Sequence, residues 1–146
     1  MARTRKGRKP KPPPLSRSEM MARIKGKDTV PELTVRRAMW AAGLRYRLHD
    51  RRLLGRPDMV LPARRVAVFV HGCFWHCHEG CPNFRIPKTR TEWWAEKLAR
   101  NKARDAEVCA AIEAAGWQPF IIWECEASRP DCLAGLVERL KNIPCR

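Results

Sequence analysis

Val66-Ala67-Val68-Phe69-Val70 is apolar throughout and runs straight into His71-Gly72-Cys73-Phe74-Trp75-His76-Cys77-His78-Glu79-Gly80-Cys81. The first segment reads as a strand buried on both faces, the kind found at the centre of an α/β sheet. The second holds three of the four histidines and three of the seven cysteines around an adjacent Phe-Trp pair. A hydrophobic core needs no such mixture. Metal ligands, a potential general base and two large rings therefore leave the end of a central strand together, and function is expected there.

The surrounding pattern sets the architecture. Thr29-Val30-Pro31-Glu32 opens a helix, with proline in the first turn and an acid at the positive end. Val35, Ala38, Met39 and Ala42 repeat at helical spacing until Gly43 closes it. Leu44 to Leu48 alternates as a half-wet strand. The Leu54-Gly55-Arg56-Pro57 turn leads into a short strand over Asp58 to Leu61. Thr91 to about Ala115 predicts a long helix with Trp94, Leu98, Ala106, Cys109 and Ile112 inward. Phe120 to Trp123 is a fourth strand, and Leu133, Leu136, Val137 and Leu140 line a last helix. The order α-β-β-β-α-β-α implies a single α/β domain, a mixed sheet flanked by helices. Trp40, Trp117 and Trp123 fall within regular elements and are expected in the core. His49, in a polar turn, is expected to be solvated.

Charge divides the chain. Residues 1–27 carry ten Lys/Arg against Glu19 alone, and Lys9 to Pro14 adds a proline run that cannot support a helix. Residues 1–16 are therefore expected to be a disordered basic arm, with the domain over 17–146. Polyanionic nucleic acid is the partner such an arm suits, because neutralised phosphates release counterions. No run of 18 or more apolar residues exists, so no membrane span is expected. The basic N-terminus lacks the apolar stretch of a signal peptide. An intracellular location follows, in which the cysteines serve as thiols or metal ligands rather than as a disulfide framework.

Two metal sites are legible. Cys73, Cys77, His78 and Cys81 have the short spacings of tetrahedral zinc sites, and Cys125 joins them if the fourth strand lies beside the third. That is five candidates for four places. Such a zinc would be structural, since a full thiolate/imidazole set leaves no open position for water. Asp58, opening a strand after a Gly-Arg-Pro turn, is the carboxylate best placed to hold Mg²⁺ with a backbone carbonyl. His71 and His76 have ordinary pKa values near working pH, which suits proton transfer. Phe74 and Trp75 are adjacent, so both can point outward only from a loop, where they would unstack bases; packed inward they would cap the core.

With Gly55-Arg56-Pro57-Asp58 and His71-Gly72-Cys73-Phe74-Trp75-His76 together, the chain resembles the very-short-patch-repair (Vsr) DNA mismatch endonucleases. Arg17-Ser18 with Met21, Asp28-Thr29 with Glu32, Pro87 with Thr89-Arg90-Thr91-Glu92, Trp94, Asn101 with Arg104-Asp105, and Trp123-Glu124-Cys125 extend the match over about residues 17–126. The resemblance implies a restriction-endonuclease-like fold and a bacterial, nucleoid-associated cytoplasmic enzyme acting as a monomer, with other repair proteins as possible partners. Its substrate would be double-stranded DNA, nicked on one strand 5′ of the thymine in T·G mismatches left by deamination of 5-methylcytosine. It further implies Mg²⁺ held by Asp58 and the Val70 carbonyl. His71 and His76 would act at the scissile phosphate, His76 as general base, with Asp105 orienting it and Glu32 supporting the site. Zinc would sit on Cys73, His78, Cys81 and Cys125. Phe74, Trp75 and Trp94 would enter the duplex from the major groove and Met21 from the minor groove.

The chain departs from the family pattern twice. Val70 stands where a family member has threonine, which is harmless if the ligand is a carbonyl. The Cys73–Cys81 stretch is one residue longer, which leaves Cys77 as a rival to Cys81. A zinc-stabilised DNA-binding module without catalysis, or a related nuclease of different specificity, would carry many of the same features.

Overall fold

The computed structural model describes residues 13–146. Most of the basic arm expected over residues 1–16 lies outside the described residues. Helix α1 (Arg17–Ala22) starts at a reciprocal cap in which Ser16 Oγ accepts from the Glu19 amide and Glu19 accepts from the Ser16 amide. Helix α2 (Val30–Ala41) is followed by β1 (Arg47–Leu48), β2 (Met59–Leu61) and β3 (Val66–His71). Then come α3 (Thr91–Ala114), β4 (Gln118–Trp123), α4 (Glu124–Ala127) and α5 (Pro130–Lys141). The sheet order is β1-β2-β3-β4, antiparallel except for the parallel β3–β4 pair. This is the expected mixed sheet, and it fits a restriction-endonuclease-like domain.

Side-chain alternation on β3 builds the layers. Val66 and Val68 pack with Val35 and Met39 of α2 and with Leu136 and Leu140 of α5. Ala67 and Phe69 turn the other way, against Ile112 of α3. Both faces of β3 are thus covered, which is why it reads as an unbroken apolar run. By the same period His71 emerges on the α3 side, and the chain leaves the sheet there for the 72–90 connection.

Four expectations need correction. The strand expected over 44–48 is only Arg47–Leu48, because its partner β2 is three residues long, and both residues are exposed on the sheet edge. Trp40 is 55% exposed rather than core. The buried face of α2 is Glu32, Val35, Arg36 and Met39, and Trp40 falls one step past it, beneath the Arg45 guanidinium. Ala106 is exposed on α3, whose buried residues are Trp94, Leu98 and Ile112. The short helices α1 and α4 add to the seven expected elements.

Candidate functional site

All six residues expected at the catalytic and Mg²⁺ sites meet at the carboxyl end of β3. A cavity of about 550 Å³ is lined by Glu32, Asp58, Val70, His71, His76 and Asp105, with Lys27, Arg51, Arg56 and Arg104 around it. Asp58 is delivered by the Gly55–Pro57 turn. Gly55 has φ +75° and sits so close to Val108 of α3 that a Cβ would overlap that side chain. Pro57 is fully buried, so the residue after it is held firmly.

Asp58 Oδ2 accepts a hydrogen bond from the Val70 amide at 2.7 Å. Among the described residues, no donor reaches Oδ1. Burial, opposed by that hydrogen bond and reinforced by the nearby Glu32 charge, pushes the Asp58 carboxyl up to about 6.

His71 is 7% exposed and its ring stacks on His76, with centroids 3.8 Å apart and planes within 10°. Burial, then the neighbouring His76, lowers His71 to about 4, so it is neutral at working pH. His76 Nδ1 lies 2.7 Å from Asp105 Oδ2 on α3. Because the carboxylate can only accept, Nδ1 carries the proton, which leaves Nε2 as a lone pair when the ring is neutral. Glu32 is buried and committed: it accepts from the Asp28 amide, the Thr29 hydroxyl and Arg36.

From Cys73, two residues beyond His71, the chain coils into a second cluster. One ligand atom each from Cys73, His78, Cys81 and Cys125 lie within 4.8 Å of one another. His78 Nδ1 is 3.4 Å from both Cys73 Sγ and Cys125 Sγ. Three sulfurs and one imidazole are the donor set of a closed tetrahedral zinc site. Cys125 arrives because His71 of β3 and Trp123 of β4 are register partners, so the turns after both strands start side by side. Burial pushes the Cys73 thiol up to about 12 and raises Cys125 as well. Only a cation among them would make these groups thiolates. Cys77 lies apart from the four, its thiol donating to the Leu98 carbonyl at 3.3 Å.

The aromatic residues form a third group. Phe74 packs edge-on to Trp75 and Trp94 at 5.0 and 5.4 Å, and Trp75 is 6.1 Å from Trp94. Asn101 donates to the Trp75 carbonyl and ties the loop to α3. Met21 and Trp94 line one cavity of about 440 Å³ between α1 and α3.

Sequence reasoning missed three participants. Trp93 is 39% exposed, sits edge-on to Trp94 at 4.8 Å and lies beneath Arg90 and Lys97. The paired Trp93-Trp94 was the available signal. Glu124 accepts from the Cys73 amide at 2.9 Å and so braces the zinc-type loop. His49, expected to be solvated, is half-buried with Nε2 3.2 Å from Arg36.

Comparison with known proteins points the same way. A family model described as DNA mismatch endonuclease Vsr matches residues 12–91. The chain is 44% identical over 130 residues to the type II nicking enzyme V.XorIIP of Xanthomonas oryzae pv. oryzae, covering 89% of this chain and 93% of that one. It is 39% identical over 132 residues to DNA mismatch endonuclease Vsr of Escherichia coli, covering 89% and 84%. The type II nicking enzyme V.NaeI of Lentzea aerocolonigenes is 38% identical over 143 residues, covering 94% and 84%. With the matched region spanning the Gly55–Asp58 turn, β3 and the Cys/His loop, the chain belongs to the Vsr family of DNA mismatch endonucleases and is a DNA endonuclease.

Proposed function

We propose that this enzyme nicks one strand 5′ of the thymine in T·G mismatches, by Mg²⁺-dependent hydrolysis of a phosphodiester. The observation that carries the chemistry is the single cavity in which Asp58, with one oxygen unpaired, faces the stacked His71 and Asp105-bound His76.

Asp58 and the Val70 carbonyl are the ligands we assign to Mg²⁺. A strand residue sends its N–H and C=O to the same side. Val70 gives its amide to Asp58, so its carbonyl faces that side too, beyond the end of β2. An all-oxygen donor set suits a hard cation. When bound, Mg²⁺ supplies positive charge that stabilises the phosphate in the transition state and favours ionisation of water. His76, its Nδ1 proton fixed by Asp105, accepts the proton of the attacking water at Nε2. His71, kept neutral by burial, supports the His76 ring face to face without adding a competing charge. Glu32 contributes a fixed negative charge at the wall of the pocket. Lys27, Arg51, Arg56 and Arg104 attract and seat the DNA backbone.

Zinc held by Cys73, His78, Cys81 and Cys125 stiffens the loop that carries both His76 and the aromatic group. Phe74, Trp75 and Trp94 enter the duplex as a wedge, with Met21 contacting it alongside. Opening a mispaired step costs less than opening a matched one, so a wedge favours mismatches. The basic residues of the arm add phosphate contacts.

The test is a duplex carrying one mismatch, incubated with the protein and Mg²⁺ and mapped for nicks on both strands. A nick immediately 5′ of the mismatched thymine, absent with EDTA and weaker across a panel of other mismatches, is the expected result. Equal nicking of all mismatches would leave a related nuclease of different specificity.

A further inference from the structure

At the edge of the pocket is another group of potential metal ligands, of which the proposed reaction uses Glu32 alone. Asp28, Glu32 and His49 each bring one ligand atom within 4.8 Å of the others. Two carboxylates and an imidazole at that spacing are a donor set for a divalent cation. A side chain already fills it. Arg36 is 7% exposed on the buried face of α2. Its Nη1 donates to Asp28 Oδ1 at 2.6 Å and its Nη2 to Glu32 Oε2 at 3.1 Å, with His49 Nε2 at 3.2 Å from Nη2. The fork is committed to these groups so fully that Nε is left buried without a hydrogen-bond partner. An arginine buried for packing alone would not be expected to leave a donor unmade, because such a group costs desolvation energy.

The cluster also shares a wall with the active site. Glu32 and His49 line the same cavity as Asp58, and the His49 amide donates to the Asp58 carbonyl at 3.4 Å. Without a fixed positive charge, Glu32 could be drawn toward an ion bound between it and Asp28. A guanidinium remains charged at every working pH and, unlike an ion, cannot leave.

We propose that Arg36 is a built-in cation. It is a positioning residue that closes the Asp28–Glu32–His49 cluster to divalent ions and holds Glu32 in place, so that the divalent ion of the pocket goes to Asp58. The proposal rests on the assignment of that ion to Asp58.

Titration of the full-length, zinc-loaded protein with Mn²⁺, followed by electron paramagnetic resonance, counts ions without turnover. Wild type should bind one Mn²⁺ and Asp58→Asn none. Arg36→Met should gain one ion, and Asp58→Asn/Arg36→Met should keep that one. Adding Asp28→Asn should abolish the gain. Nicking by Arg36→Met should fall roughly tenfold to a hundredfold, the range seen when outer-shell partners of metal sites are lost. Arg36→Lys should restore the wild-type ion count and most of the nicking. If Arg36→Met does not fold, Arg36→Gln removes the charge while keeping a donor for Glu32 and gives the same count. A folded Arg36→Met or Arg36→Gln protein with an unchanged ion count overturns the proposal. So does a gained ion that survives Asp28→Asn. If Asp58→Asn alone leaves the wild-type ion bound, the Asp58 assignment fails, and the gain or absence of an ion on replacing Arg36 still decides the role of Arg36.

Discussion

The candidate active-site pocket and the Cys/His loop stand a few residues apart on the same stretch of chain and are built on opposite principles. The pocket offers oxygen donors, one of them unpaired, at the end of a rigid strand pair. The loop offers three sulfurs and one imidazole that converge from two turns and leave no open position. Hard, water-keeping ions suit the first and zinc suits the second. In the pocket, burial displaces Asp58 and His71 in opposite directions, each toward its neutral form. In the Cys/His cluster, burial raises the Cys73 and Cys125 thiols, whose protons a bound cation would have to displace. The pocket is therefore prepared by the sheet, whereas the loop carries the donor set of a closed zinc site and, on the proposed reading, would be held by that ion.

The largest effect should come from the pocket. Asp58→Asn should cut nicking by about a thousandfold or more, as expected when the charge stabilisation at a scissile phosphate is lost. Mismatch binding should persist in a gel-shift assay. The variant should also melt no lower than wild type at pH 7.5, since it removes a buried charge. A large loss of melting temperature would mean that Asp58 is structural.

Stripping zinc should act differently. Cys73→Ser, or chelation of the wild type, should lose both binding and nicking by roughly a hundredfold, with new protease cleavage confined to residues 72–90. Cys77→Ser should keep one zinc per chain by elemental analysis, because its thiol belongs to the Leu98 carbonyl rather than to the cluster. Loss of zinc in Cys77→Ser would place it back among the ligands.

Acid should separate His71 from Asp58. His71 has a folded value near 4, below its ordinary 6.5, so the stability it contributes is complete above pH 6.5 and is lost as pH falls toward 4. Asp58 has a folded value near 6, above its ordinary 3.8, so its buried charge is costly above pH 6 and that cost is relieved as pH falls through 6. In wild type the two slopes partly offset between pH 6 and 4. Asp58→Asn removes one of them, so its melting temperature should fall more steeply over that window than wild type. Parallel curves would show that Asp58 does not titrate there. Without Mg²⁺ to hold it ionised, the same carboxyl should make metal uptake weaken below pH 6.

How much of this was readable beforehand follows from what each feature depends on. β3 announced itself because burial on both faces demands an unbroken apolar run, and α3 because its helical period and the glycine after it are local. Asp58, His71, His76 and the zinc-type ligands were legible as residue types in two short motifs. Their mutual distances were not, since these arise from pairing β3 with β4 and from α3 crossing the sheet. Trp40 failed for a local reason: one residue of helical rotation decides between core and surface, and Arg45 offered the ring an alternative partner. Arg36 was invisible because its partners lie at Asp28, Glu32 and His49, on a loop, a helix and a turn. The Ser16–Glu19 cap of α1 was present in the sequence but lay beside a basic, proline-rich stretch whose composition dominated the reading.

The smallest expected effect tests where the proposed wedge ends. Trp93 stands beside the group formed by Phe74, Trp75 and Trp94, and its partly exposed ring carries Arg90 and Lys97 over it. A ring held between cations on the rim of a cavity can stack on a base at the edge of the opened step, but it does not drive the opening. Stacking on an aromatic side chain is worth about 1–3 kcal/mol per base. A partly exposed ring should recover the low end of that range, so Trp93→Ala should weaken binding of a T·G duplex by about fivefold. Trp75→Ala should weaken it more. Fluorescence anisotropy on T·G and matched duplexes makes the distinction. A loss restricted to the mismatched duplex puts Trp93 in the wedge. An equal loss on both duplexes assigns it to the backbone-contacting surface with Arg90 and Lys97, and a loss exceeding that of Trp75→Ala would move the centre of the wedge from the zinc-type loop to α3.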